Sequence, residues 1–101
     1  MDTQTNVSET QRQYLTRRVC VVNELGLHAR PAARLAQEAQ KFSSRILLKA
    51  GAQEVDAKSI LDILTLAARN GCGLEIMASG DDAAQAVEHL ARLFRTKFQE
   101  G

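Results

Sequence analysis

The sequence has no tryptophan, one proline, one tyrosine, three phenylalanines and two cysteines in 101 residues. So few aromatic faces exclude the stacking platforms on which single-stranded nucleic acids are held. Thirteen Lys and Arg against twelve Asp and Glu leave a formal charge of +1, so no global field steers the chain toward a nucleic acid or a membrane surface. No apolar run approaches the roughly 20 residues that span a bilayer, and the N-terminus lacks the basic-then-apolar order of a signal peptide. The chain reads as cytoplasmic.

The cysteines are as uninformative as they are few. Cys20 and Cys72 lack CxxC spacing and only two histidines accompany them, so a four-ligand zinc site is hard to assemble and neither metal nor cofactor is expected. Cys20 lies in the apolar run Val19-Cys20-Val21-Val22 and reads as a small buried hydrophobe. Cys72, between two glycines, reads as a turn residue, and a disulfide is not expected in a reducing compartment.

What is present is 45% hydrophobic and 25% charged, enough for one core and too little for two. Residues 1–16, rich in Thr, Gln, Ser and Asn, bury too little to offset their ordering entropy and read as a flexible N-terminal tail. Arg18 to Asn23 reads as a β-branched strand that stops at Gly26. Ala32, Leu35, Ala36, Ala39 and Phe42 then recur at helical spacing, with Arg34, Gln37, Glu38 and Lys41 on the other face. Arg45 to Ala50 and Gln53 to Asp56 flank Gly51 as a hairpin. Ser59 caps a helix predicted over Ile60 to Ala68, which stops at Asn70-Gly71. Leu74, Ile76 and Ala78 alternate with polar neighbours as a half-buried strand. A last helix starts at Asp81 and runs Val87, Leu90, Ala91, Phe94 and Phe98 down one side.

The order β-α-β-β-α-β-α predicts an α+β two-layer open-faced sandwich, a four-stranded mainly antiparallel sheet with three helices on one face. Right-handed crossovers place the first and third helices together and the short middle one at an edge.

Chemistry concentrates in Gly26-Leu27-His28-Ala29-Arg30-Pro31-Ala32, which joins the first strand to the first helix. Gly26 supplies a turn conformation closed to most residues, and Pro31 suits a first helical turn, where its missing N–H costs nothing. His28 falls at or beside the N-cap, where unpaired backbone N–H groups and the helix dipole stabilise an anion. Arg30 adds a planar cation able to hold phosphate oxygens bidentately. From the residues alone His28 is a phosphate acceptor, a general base or a solvated surface residue. Hydrolysis calls for a second catalytic group, and Glu24 is only the nearest carboxylate in sequence. His89, beside Glu88 in the last helix, reads as an exposed residue.

The segment GLHARPA at Gly26 to Ala32 resembles the active-site signature of the HPr family, the histidine-containing phosphocarriers of the phosphoenolpyruvate-dependent phosphotransferase system. Lys58-Ser59-Ile60-Leu61 resembles that family's regulatory-serine segment, and the strand Leu74 to Ser79, Gly80-Asp81-Asp82 and the closing helix follow in family order, so the resemblance covers about 17–100. It implies a carrier rather than a self-sufficient catalyst: His28 takes a phosphoryl group on Nδ1 from Enzyme I and hands it to an enzyme IIA domain. Arg30 would then neutralise the group, Gly26 and Pro31 would hold the loop, and the N–H groups of Ala29 and Arg30 would face the phosphate. It further implies a monomer in which Ser59 is phosphorylated by an HPr serine kinase, although capping alone explains a serine there.

The middle helix is apolar around most of its circumference. With Ile63, Leu66 and Ala67 turned to the core, Ile60, Leu61 and Leu64 form an exposed docking patch; a fully buried helix is the alternative. Departures from the sugar-transport pattern include Asp62, at a position often small or basic, and Gln37 and Gln40, where basic residues commonly meet Enzyme I. The run Leu64 to Ala68 is compatible with a nitrogen-type branch, in which the chain acts as a regulatory binding protein.

Overall fold

In the strand Gly73–Ser79, Leu74, Ile76 and Ala78 are buried while Glu75, Met77 and Ser79 alternate with them half-buried, so one strand face meets the core and the other meets water. The computed structural model describes residues 13–99. Strands β1 (Leu15–Cys20), β2 (Arg45–Ala50), β3 (Gln53–Asp56) and β4 (Gly73–Ser79) and helices α1 (Ala29–Ala39), α2 (Ile60–Thr65) and α3 (Ala83–Arg95) follow in the order β-α-β-β-α-β-α, with a 3-10 turn at Lys97–Gln99. The open-faced α+β sandwich expected from the sequence is the fold.

The sheet order is β1-β4-β2-β3 and every neighbouring pair is antiparallel. β1 and β2 therefore run parallel with β4 between them, and β3 and β4 run parallel around β2. The buried face meets apolar stripes of α1 (Ala32, Leu35, Ala36, Ala39) and α3 (Val87, Leu90, Ala91, Phe94). α1 contacts α3 and α2, and α2 lies beside edge strand β3. On the open face, Arg18, Glu75, Lys49 and Glu54 stand opposite one another across all four strands, an alternating row in which each charge has an opposite neighbour.

Several local expectations are corrected. β1 begins at Leu15 rather than Arg18 and ends at Cys20, so residues 15 and 16 of the expected tail are strand; the rest of that tail, up to residue 12, lies outside the described residues. The strand extends because Leu15, Thr16 and Arg17 pair with Ala78, Met77 and Ile76 of β4, and Arg17, which the apolar pattern leaves out, reaches α3 and bonds Glu88 at 2.7 Å. That contact holds the Glu88 carboxyl below its ordinary range. Cys20 is exposed, not buried: its register partner is Gly73, on the open face. α2 ends at Thr65, whose hydroxyl bonds the Asp62 carbonyl at 2.6 Å, and Ala67 is left-handed with φ 49°.

His89 and Glu38 also differ from expectation. Glu38 is buried, with 7% exposure, and bonds the His89 ring at 2.6 Å across the α1–α3 interface, with Lys41 at 3.1 Å and Arg34 at 3.4 Å. His89 is half-buried and its ring lies 5.6 Å from that of Phe42. Helical periodicity had assigned both groups to solvent, because it places a residue on a face without showing that a second helix covers that face. The His89 bond, above all, holds the Glu38 carboxyl below its ordinary range against the raising effect of burial.

The N-cap of α3 is Asp82, not Asp81, and its side chain makes no capping bond. Its carboxylate instead accepts the main-chain N–H groups of Ser43 (2.9 Å) and Ser44 (3.0 Å) and the Ser44 hydroxyl, tying the start of α3 to the turn before β2. The Ser44 hydroxyl first, then the backbone donors, lowers the Asp82 pKa from 3.8 to about 2. A carboxyl depressed on folding stabilises the native state above its unfolded value and loses that effect as pH falls through the folded one. The stability difference between the protein and Asp82→Asn, measured by urea unfolding, is therefore expected in full at neutral pH and to vanish as pH falls from about 4 to about 2.

Candidate functional site

Between β1 and α1 the chain is fastened to the segment that follows α2. Val21 N–H bonds the Cys72 carbonyl (2.9 Å) and Gly71 N–H bonds the Val21 carbonyl (2.7 Å), extending the β1–β4 pairing beyond the ladder. Gly26, at φ +73°, is closed by an N–H bond to the Asn23 carbonyl (2.9 Å). A Cβ there would lie 2.4 Å from the Ala68 carbonyl oxygen. The buried Leu27 donates its N–H to that same oxygen at 2.9 Å. Asn23, also buried, donates its side-chain amide to the Lys97 carbonyl at 3.0 Å, fixing the left-handed turn Lys97–Gln99 and letting Phe98 pack edge-on against Phe94.

This clamp delivers His28 as the N-cap of α1, at φ −80° and ψ −169°. Its side chain makes no capping bond to the helix and is half-buried. The first intrahelical bond runs from Ala32 N–H to the His28 carbonyl at 3.0 Å. Of the donors before it, Pro31 has none, so Ala29 and Arg30 present the main-chain N–H groups that helix geometry leaves without an intrahelical acceptor. No acidic residue lies in that first turn. Arg30 is exposed, and Pro31 is buried beneath it. Gly26, His28, Ala29, Arg30 and Pro31 thus form one loop-to-helix corner with positive potential at its tip.

Ser59 is the N-cap of α2 and its hydroxyl accepts the Asp62 N–H at 3.2 Å. Two bonds tie it toward α1: Gln40 to the Lys58 carbonyl (2.9 Å) and Lys58 Nζ to the Phe42 carbonyl (2.7 Å). Ile63 is fully buried and anchors the helix; Ile60 is 40% and Leu61 76% exposed. Leu64 is half-buried against the core, so it belongs to the patch only by its edge. Ala67, expected to face the core, is exposed, because its left-handed backbone ends the helical phase. The alternative of a fully buried helix does not hold. Among the described residues no group of three or more His, Cys, Asp or Glu could hold a metal, and no helix is long and apolar enough to cross a membrane.

Sequence reasoning missed Ala68 and Asn23, both parts of the clamp. Ala68 acts through its carbonyl and leaves no side-chain signal; a buried loop asparagine beside the glycine was the one available clue.

Comparison with known proteins agrees with this geometry. The PTS-HPr family, described as "PTS HPr component phosphorylation site", matches residues 15–96, from the first residue of β1 to the C-cap of α3. The chain belongs to this family. It is 43% identical over 82 residues to Phosphocarrier protein HPr of Treponema pallidum (strain Nichols), across 81% of this chain and 93% of that one. HPr-C-His from Thermoanaerobacter tengcongensis matches its structure with a TM-score of 0.83 at 39% identity, covering 86% of this chain and 98% of the other. An HPr dimer from the same organism matches at 0.68 and 42% identity, covering 77% and 90%. The chain is accordingly an HPr-type phosphocarrier of the bacterial phosphotransferase system.

The clamp separates two glycines that share a positive φ. Gly26→Ala forces a Cβ into the Ala68 carbonyl and is expected to cost more than about 2 kcal/mol. Gly51→Ala, at φ +60° with nothing within 4 Å, is expected to cost only about 1 kcal/mol. Chemical unfolding of the two variants checks this.

Proposed function

We propose that His28 is the residue that carries the phosphoryl group, as a cytoplasmic and monomeric relay between Enzyme I and an enzyme IIA domain. The supporting observation is its position: an imidazole at the N-cap of an eleven-residue helix whose first turn holds an arginine and no acid. In the first handover a ring nitrogen of His28, Nδ1 by family resemblance, attacks phosphorus on phospho-Enzyme I. One phosphorus–nitrogen bond forms as the donor's bond breaks, and the electron pair returns to the donor. In the second handover the acceptor on the enzyme IIA domain attacks the same phosphorus, the phosphorus–nitrogen bond of His28 breaks as the new bond forms, and the electron pair returns to the ring nitrogen.

During residence, the Ala29 and Arg30 N–H groups and the helix dipole offset the new charge, and the Arg30 guanidinium follows the transferred oxygens. Gly26 and Pro31 keep the corner from relaxing. Ile60 and Leu61, with the edge of Leu64, form the apolar surface on which both partners dock.

Ser59 is the proposed regulatory site. Phosphorylation by an HPr serine kinase would add about −2 charge between Asp62 and the docking patch, so repulsion and desolvation oppose Enzyme I binding. A second reading, a regulatory binding protein of a nitrogen-type branch, is favoured by one feature: Leu61 is 76% exposed on a helix anchored by the buried Ile63.

Incubation with phosphoenolpyruvate and Enzyme I is expected to give one acid-labile, base-stable phosphate, retained in Ser59→Ala and absent in His28→Ala. Arg30→Ala should slow transfer by roughly 10- to 100-fold, the scale of losing one charged donor. Leu61→Asp is expected to slow transfer at low Enzyme I and recover at high Enzyme I. A Leu61→Asp protein that transfers normally yet loses another partner would instead assign the regulatory reading.

A further inference from the structure

We infer that the open edge of β1, with the cleft between it and the second half of α3, is a docking site for an extended acidic segment of a partner protein. The site is separate from the His28 corner. Among the described residues β1 pairs with β4 alone, so one whole side of this six-residue strand presents its main-chain donors and acceptors outward. No proline or bulge blunts it: the β1–β4 register is unbroken from Leu15 to Cys20. The opposite edge differs. β3 has four residues, carries Glu54 and Asp56, and is flanked by α2.

The cleft beside β1 has an apolar floor and a cationic rim. Val19, Ala91 and Phe94 form the floor; Arg17, Arg18 and Arg95 stand around it. Arg17 is engaged with Glu88 (2.7 Å) and Arg18 approaches Glu75 (3.5 Å), but the Arg18 side chain is 80% exposed. Arg95 and its neighbour Arg92 are exposed in the last turn of α3. The cations outnumber the carboxylates that face them. An added strand would turn alternate side chains toward Arg95 on the helix side and Arg18 on the open side, so acidic residues on both faces are complementary. This is recognition by strand addition, with main-chain bonds supplying affinity and the rim supplying selectivity.

A second copy of the chain fits poorly on the same edge. Antiparallel pairing of two β1 strands about their centre sets Arg17 and Arg18 of one copy against those of the other, and like charges directly opposite destabilise a ladder. An anionic membrane could satisfy the rim, but it offers no backbone to the strand edge.

The test titrates the isotope-labelled full chain with the seven-residue peptide Val-Glu-Glu-Val-Glu-Glu-Val, which as a strand carries Glu on both faces. One control peptide has Lys for every Glu; another has Pro at its centre. Expected are amide shifts confined to Leu15–Cys20 and Ala91–Arg95, binding that weakens about tenfold in Arg95→Glu and measurably in Arg95→Gln, and no binding of either control. His28 phosphorylation by Enzyme I should be unchanged in both variants. Equal binding of a control peptide, shifts located on α1 or α2, or no shift with the acidic peptide would overturn the proposal. So would a dimer in sedimentation whose interface shifts fall on β1, or binding of phosphatidylserine vesicles in place of the peptide.

Discussion

One carbonyl oxygen, that of Ala68, holds the site corner in place. It accepts the Leu27 N–H and lies 2.4 Å from where a Cβ on Gly26 would be, so the chain between β1 and α1 can approach this closely only with glycine at that position. The oxygen is presented there because α2 stops early. Thr65 ends the helix, Ala67 turns left-handed, and Ala68 comes round to face the loop. The N-cap geometry of His28 is thus set partly by how a different helix terminates.

α2 combines tasks that its cap and its six residues divide between them. Ser59 and Asp62 fix its start, Ile63 anchors it in the core, and Ile60 and Leu61 are left to solvent. A short helix gains little from its own hydrogen bonds, so a single buried side chain, the cap and the neighbouring α1 must hold it. Such a helix stays placed while presenting apolar surface to solvent.

Much of this was legible in the sequence because the signals were local. The alternation of Leu74, Ile76 and Ala78 defined β4, the Gly51 hairpin was found with its bounds, and the GLHARPA segment placed His28 at the helix start. What escaped notice depended on partners distant in the chain. Glu38 and His89 are polar residues on amphipathic helices, and only the packing of α1 on α3 makes them a buried pair. Arg17 is strand because it pairs with Ile76, its ion pair is with Glu88, 71 residues away, and the Asp82 carboxylate bonds Ser43 and Ser44 in place of its own helix. The clamp was hidden for a further reason: main-chain groups carry no residue identity.

The strand order has a consequence for how the molecule is made. β4 lies between β1 and β2, yet it is the last strand in the chain. A ribosome that has released only the first half of the polypeptide has produced two strands with no shared ladder and a slot between them. The helix-start corner, fastened to Ala68 and Cys72, cannot close until the segment just before β4 has also been made. The central strand of the sheet and the fastening of the helix-start corner therefore both wait for the last third of the chain, and a chain cut short before residue 68 would lack both.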